Sequence, residues 1–127
     1  MKISFHGAAR TVTGSKHIIH LKPNKQILLD CGMFQGMGKD TDRLNSEWGF
    51  EPKELTYVVI SHAHIDHIGL LPKLVKDGYK GKIFCTTATA SLMRIMLLDS
   101  ARIQEADVRH VNKRRKEQGR ELIATAT

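Results

Sequence analysis

Four side chains able to bind a metal fall within six residues of this chain: His62, His64, Asp66 and His67. They lie in the stretch Ser61-His62-Ala63-His64-Ile65-Asp66-His67-Ile68-Gly69. In extended backbone, residues two apart point the same way, so His62 and His64 are able to reach one metal together. Asp66 and His67 fall where the chain must bend, and are placed to reach a second metal beside the first. Imidazole nitrogen and carboxylate oxygen suit zinc, and also manganese or iron with less selectivity. Two divalent ions about 3.5–4 Å apart share a hydroxide nucleophile and stabilise the charge that builds on a substrate. The bland alternative is four polar residues on a solvated loop. An ordered cluster directly after the buried-strand pattern Tyr57-Val58-Val59-Ile60 argues for the metal.

A further carboxylate, Asp30, ends the apolar run Ile27-Leu28-Leu29. If buried there, it needs a partner. Two readings stand: a strand-end cap with access to water, or a residue that orients a ligand histidine.

The elements that must position these groups follow from periodicity. Strand patterns run through Lys2-Ile3-Ser4-Phe5-His6, Lys16 to Leu21, Gln26 to Gly32, Thr56 to Ile60 and Gly81 to Cys85. The third is apolar nearly throughout and is expected to be central. A small-residue loop, Gly7 to Ser15, joins the first two strands, either as a plain tight connection or as a close approach to the metal pocket. Residues 39–49 hold at most a short helix, with Leu44 and Trp48 as anchors, and Pro52 to Leu55 a helical turn. The spacing predicts a helix from Ile68 to Lys76, stopped by Asp77-Gly78.

From Ala88 to Gln118 there is no proline and no glycine. Thr86 or Thr87 is the N-cap of one long helix, with Asp107 as its weakest point. Leu92, Ile95, Met96, Asp99, Ile103 and Ala106 trace helical spacing, with a second apolar row through Met93, Leu97 and Ala101. Its end, Arg109 to Arg120, is strongly basic around Lys113-Arg114-Arg115-Lys116. These cations are either a solvated helix end that favours the C-terminal dipole or RNA contacts. Residues 121–127 carry no usable pattern.

At 127 residues the chain is one domain or part of one. Its net charge of +7 and pI of about 9.7 favour polyanionic partners such as nucleic acid. No secretory pattern and no apolar run of membrane-spanning length is present, so the expected location is cytoplasmic, with no membrane partner. The two cysteines, Cys31 and Cys85, are expected to be reduced, buried and small.

The His62-x-His64-x-Asp66-His67 motif resembles the signature of the metallo-β-lactamase superfamily. Gly7 to Ser15, Leu29-Asp30-Cys31-Gly32-Met33-Phe34-Gln35-Gly36, Ser61 to Pro72 and Ile95 to Ala101 together resemble its β-CASP branch of RNA-processing nucleases. That resemblance implies an α/β sandwich: the N-terminal half of an αβ/βα fold, with about five strands and two or three helices including a long C-terminal one. It implies that Asp30 matches the family's first motif. His62 and His64 would bind one Zn2+, and Asp66 and His67 the other, with Mn2+ or Fe2+ as alternatives. Asp66 would also position the nucleophilic water. The implied reaction is hydrolysis of an RNA phosphodiester by a metal-bridging hydroxide.

The family's later histidine, its bridging aspartate and its β-CASP cap are not matched in residues 1–127. After His67 the only histidine is His110. The chain is therefore expected to be the N-terminal portion of a larger domain, with weak or partial metal occupancy and no activity alone. Apolar surface left open would favour self-association. The competing expectations are another hydrolase of the superfamily, such as a thioesterase or small-molecule phosphodiesterase, and a noncatalytic RNA-binding or interaction module.

Overall fold

The computed structural model describes residues 1–119, so the expectations for residues 120–127 fall outside the described residues. Five strands form one sheet in sequence order: β1 (Lys2–Phe5), β2 (His17–Leu21), β3 (Lys25–Leu29), β4 (Tyr57–Val59) and β5 (Lys82–Phe84). β1, β2 and β3 run antiparallel, and β3, β4 and β5 run parallel. Parallel neighbours need crossovers. The first carries α1 (Thr41–Ser46) and a 3-10 turn at Pro52–Glu54, and the second carries α2 (Ile65–Ile68) and α3 (Leu71–Lys76). After β5 comes α4 (Thr87–Glu117). The five strands and the long C-terminal helix expected from sequence are present, with β3 central.

Register places Ile18, Leu28 and Val58 in one row across three strands, and each is almost wholly buried. They share a core with Ile68, Leu70, Leu71, Leu74 and Tyr79 from the second crossover. Burying each such aliphatic side chain contributes about 1.5–3 kcal/mol. Alternation turns the next row, Phe5, Leu29, Val59 and Phe84, to the opposite face. On that face Phe5, Val59 and Phe84 are exposed.

One local expectation changes. The single helix foreseen from Ile68 to Lys76 is two pieces. Leu70 donates its N–H to the Cys31 carbonyl at 2.9 Å, and Gly69 packs so tightly that a Cβ would lie 2.7 Å from Met33 Cβ. That tether breaks the helix, and α2 starts three residues earlier, inside the metal motif. The long helix is unbroken at Asp107, and its inward face draws on both rows, Met96 from the first and Met93 and Leu97 from the second. Met93, Met96 and Leu97 pack on the core, whereas Leu92, Ile95 and Ile103 are exposed. The cap sets this phase: Thr86 Oγ1 accepts from the Thr89 N–H at 3.2 Å, and buried Thr89 heads the stripe that continues to Met93 and Met96.

Candidate metal centre

Asp30 leaves β3 and Ser61 follows β4, so both sit at the carboxyl ends of adjacent parallel strands, where α/β folds place their sites. Asp30 extends the ladder by donating its N–H to the Val59 carbonyl at 2.8 Å. It then turns sharply, with φ +62°, a left-handed conformation that aspartate tolerates better than most residues. The residue is 3% exposed, and its carboxylate accepts three hydrogen bonds. Oδ1 accepts from the Ser61 N–H at 2.7 Å. Oδ2 accepts from Ser61 Oγ at 2.7 Å and from His67 Nδ1 at 2.7 Å.

With Asp30 as a carboxylate, which only accepts, and the imidazoles neutral, these contacts select one tautomer of each ring. In that tautomer His67 donates from Nδ1 to Asp30. Ser61 spends its single proton on Asp30, so its oxygen accepts from His62 Nδ1, 3.1 Å away. In these tautomers both imidazoles present Nε2 as the lone pair, the form a metal needs.

The turn of α2 brings the other donors back. His64 is extended, and its carbonyl accepts from the N–H groups of His67 at 2.8 Å and Ile68 at 3.0 Å. Asp66 and His67 thus fold over His62. His67 Nε2 lies 3.4 Å from Asp66 Oδ2, and the rings of His62 and His67 are 3.8 Å apart. One ligand atom from each of His62, Asp66 and His67 lies within 4.8 Å of the others. His64 stands beside His62, with ring centroids 4.9 Å apart, outside that group. Two imidazole nitrogens and one carboxylate oxygen are the borderline donor set that suits zinc and neighbouring divalent ions, so the residues present fit such an ion.

A backbone seam holds α2 in place. Cys31 and Met33 donate to the carbonyls of His67 at 2.8 Å and Ile65 at 3.1 Å. Ser15 donates to the Asp66 carbonyl at 3.0 Å, and Gly32 to the Ser15 carbonyl at 2.9 Å. Gly32 has no room for a side chain, since a Cβ would sit 1.6 Å from the Asp66 carbonyl oxygen. The Gly7 to Ser15 loop therefore reaches the backbone beneath the site. Of the cations singled out at the end of α4, Lys113, Arg114 and Lys116 are exposed and Arg115 is half-buried.

Two residues escaped the sequence reading. Ser61 links Asp30 to His62, and its hydroxyl directly before the first motif histidine was the available signal. Lys16 is 2% exposed, and no local pattern distinguishes it from an ordinary strand-flanking lysine.

Residues 18–119 match the Lactamase_B family, the metallo-beta-lactamase superfamily. The ribonuclease TTHA0252 of Thermus thermophilus is 48% identical over 105 residues, covering 83% of this chain and 24% of that protein. The cleavage and polyadenylation specificity factor 73 of Drosophila melanogaster is 39% identical over 98 residues, covering 76% of this chain and 14% of that protein. The chain thus spans a quarter or less of these relatives. Among solved structures, the short form of human tRNase Z superposes with a TM-score of 0.50 at 21% identity, covering 78% of this chain and 40% of that one, a likeness of fold. The chain belongs to the metallo-beta-lactamase superfamily, and its motifs are those of the β-CASP branch from which its curated relatives come.

Proposed function

We propose that the whole protein is a zinc-dependent ribonuclease that hydrolyses RNA phosphodiesters, and that this chain contributes half of its metal site. Residues 1–127 are read as the N-terminal portion of the metallo-β-lactamase domain. The small share of each relative that they cover supports this. His62, His64, Asp66 and His67 hold the metal. Asp30 orients His67 directly and His62 through Ser61. The Asp66 carboxylate is the group placed to orient the attacking water. Bound divalent ions supply a lowered water pKa and neutralise charge on the phosphoryl oxygens. The observation that carries this reading is the convergence of His62, Asp66 and His67 within 4.8 Å, with both imidazoles held through Asp30.

Exposed Lys113, Arg114 and Lys116 support RNA as the partner, as does the net charge of +7. No helix among the described residues is long and apolar enough to cross a membrane, and the cytoplasm is the proposed location. Phe5 and Phe84 on the open sheet face support self-association of the isolated chain.

The test is cleavage of labelled RNA by the full-length protein and by its His64→Ala variant. Loss of cleavage with RNA binding retained is expected. Undiminished cleavage, or turnover of thioesters in place of RNA, contradicts the reading.

A further inference from the structure

Lys16 is the one lysine among the fully buried side chains of the described residues. Burying an ammonium is costly unless its donors are matched. Here Nζ donates to the Gly32 carbonyl at 2.8 Å and to the Gly14 carbonyl at 3.2 Å, and lies 4.3 Å from the centre of the Phe34 ring. Burial pushes its pKa down to about 8, so the cation persists at neutral pH.

The two carbonyls it joins belong to the two segments that support Asp66. Ser15, next to Gly14, donates to the Asp66 carbonyl, and Gly32 donates to Ser15. Both glycines are packed to contact. A Cβ on Gly14 would lie 2.6 Å from the Phe34 ring, and one on Gly32 would overlap the Asp66 carbonyl. A shift of either segment is therefore passed to the backbone of Asp66.

We propose that Lys16 is a positioning residue for the metal centre, its ammonium tying the Gly14 and Gly32 carbonyls together and so fixing the Ser15–Gly32–Asp66 seam. This rests on the metal reading of His62, Asp66 and His67. Lys16 touches neither metal nor substrate. It acts through backbone, as partners of ligand residues do when they set metal affinity.

The test compares full-length wild type, Lys16→Met and Leu74→Ala, which removes fully buried core packing in α3 at a residue whose backbone bonds go to Leu70 and Tyr79 and not to the seam. Zinc affinity is read by competition with a chromophoric chelator, and geometry by the visible spectrum of the cobalt-substituted proteins. Lys16→Met is expected to bind zinc about tenfold more weakly and to shift the cobalt bands. Leu74→Ala loses stability yet keeps the wild-type values. Lys16→Met with lowered stability but wild-type affinity and spectrum overturns the proposal, leaving Lys16 a tether of the fold alone. If Lys16→Met does not fold, Lys16→Gln replaces it. Its amide is neutral and reaches less far, so a severalfold weaker affinity is expected and wild-type affinity overturns the proposal. A wild type that binds no zinc fails the metal reading itself, and the proposal with it.

Discussion

His67 Nδ1 donates to Asp30 Oδ2 at 2.7 Å, joining a residue at the end of β3 to one inside α2, thirty-seven positions along the chain. The same carboxylate takes both the N–H and the hydroxyl of Ser61, so one buried group sets the orientation of two histidines.

Asp30→Asn tests that arrangement. Three donors converge on the carboxylate, and an amide offers one oxygen and one donor group, so an N–H is left facing an N–H or O–H. The fold is expected to survive with a loss of about 1–3 kcal/mol. Zinc affinity is expected to fall about 10–100-fold. Urea denaturation and a chelator competition on the full-length protein measure the two effects.

Gly32→Ala places a methyl on the Asp66 carbonyl oxygen, with the Ser15 amide 2.8 Å away. Both obstacles are backbone and neither is free to yield. A loss of about 3 kcal/mol or more is expected, with disruption of the seam. The midpoint of thermal unfolding, compared with that of a Gly36→Ala chain, checks it. Gly36 has open space around it, although its φ of +70° adds a smaller strain.

Asp77 anchors α3 to the loop before β4. It pairs with Lys73, and Trp48 Nε1 donates to it at 2.6 Å. The Lys73 bond first, then the Trp48 bond, holds its carboxyl below the ordinary value of 3.8. A carboxylate depressed on folding adds stability that is present above 3.8 and lost as pH falls through its lower folded value. Asp77→Asn is therefore expected to be less stable than wild type near neutrality. The gap should close as pH drops below 3.8. Denaturation midpoints from pH 6 down to pH 2.5 read this directly.

Charge reversal at Lys113 and Arg114 is expected to weaken RNA binding at low salt. It should also reduce the slope of log affinity against log salt by about one per lost phosphate contact. An unchanged slope makes these residues a solvated helix end. Filter binding across a salt series is sufficient.

The strands and the long helix were legible because their signals are local. Alternation marked β1, apolar runs marked β3 and β4, and thirty-one residues without a breaker marked α4. The convergence of His62, Asp66 and His67 follows from their closeness in sequence, whereas His64 stands outside that group. What escaped depends on contacts between distant segments. Lys16 is buried by carbonyls of Gly14 and Gly32, the latter sixteen residues away, so its own neighbours say nothing of it. The inward face of α4 takes Met96 from one row and Met93 and Leu97 from the other, a phase set by the cap at Thr86 and not by either row alone. The break at Gly69 and Leu70 came from the Cys31 carbonyl, which no helical periodicity reveals.

The measurement that bears most directly on the metal centre is the divalent-metal content of the purified full-length protein. Mass spectrometry of wild type and of Asp66→Ala at equal concentration after dialysis provides it. Zinc bound to wild type and largely lost from Asp66→Ala, with RNA cleavage falling in step, is the predicted result. Metal content and cleavage that are the same in both proteins would contradict the assignment of His62, Asp66 and His67 as ligands of a catalytic ion.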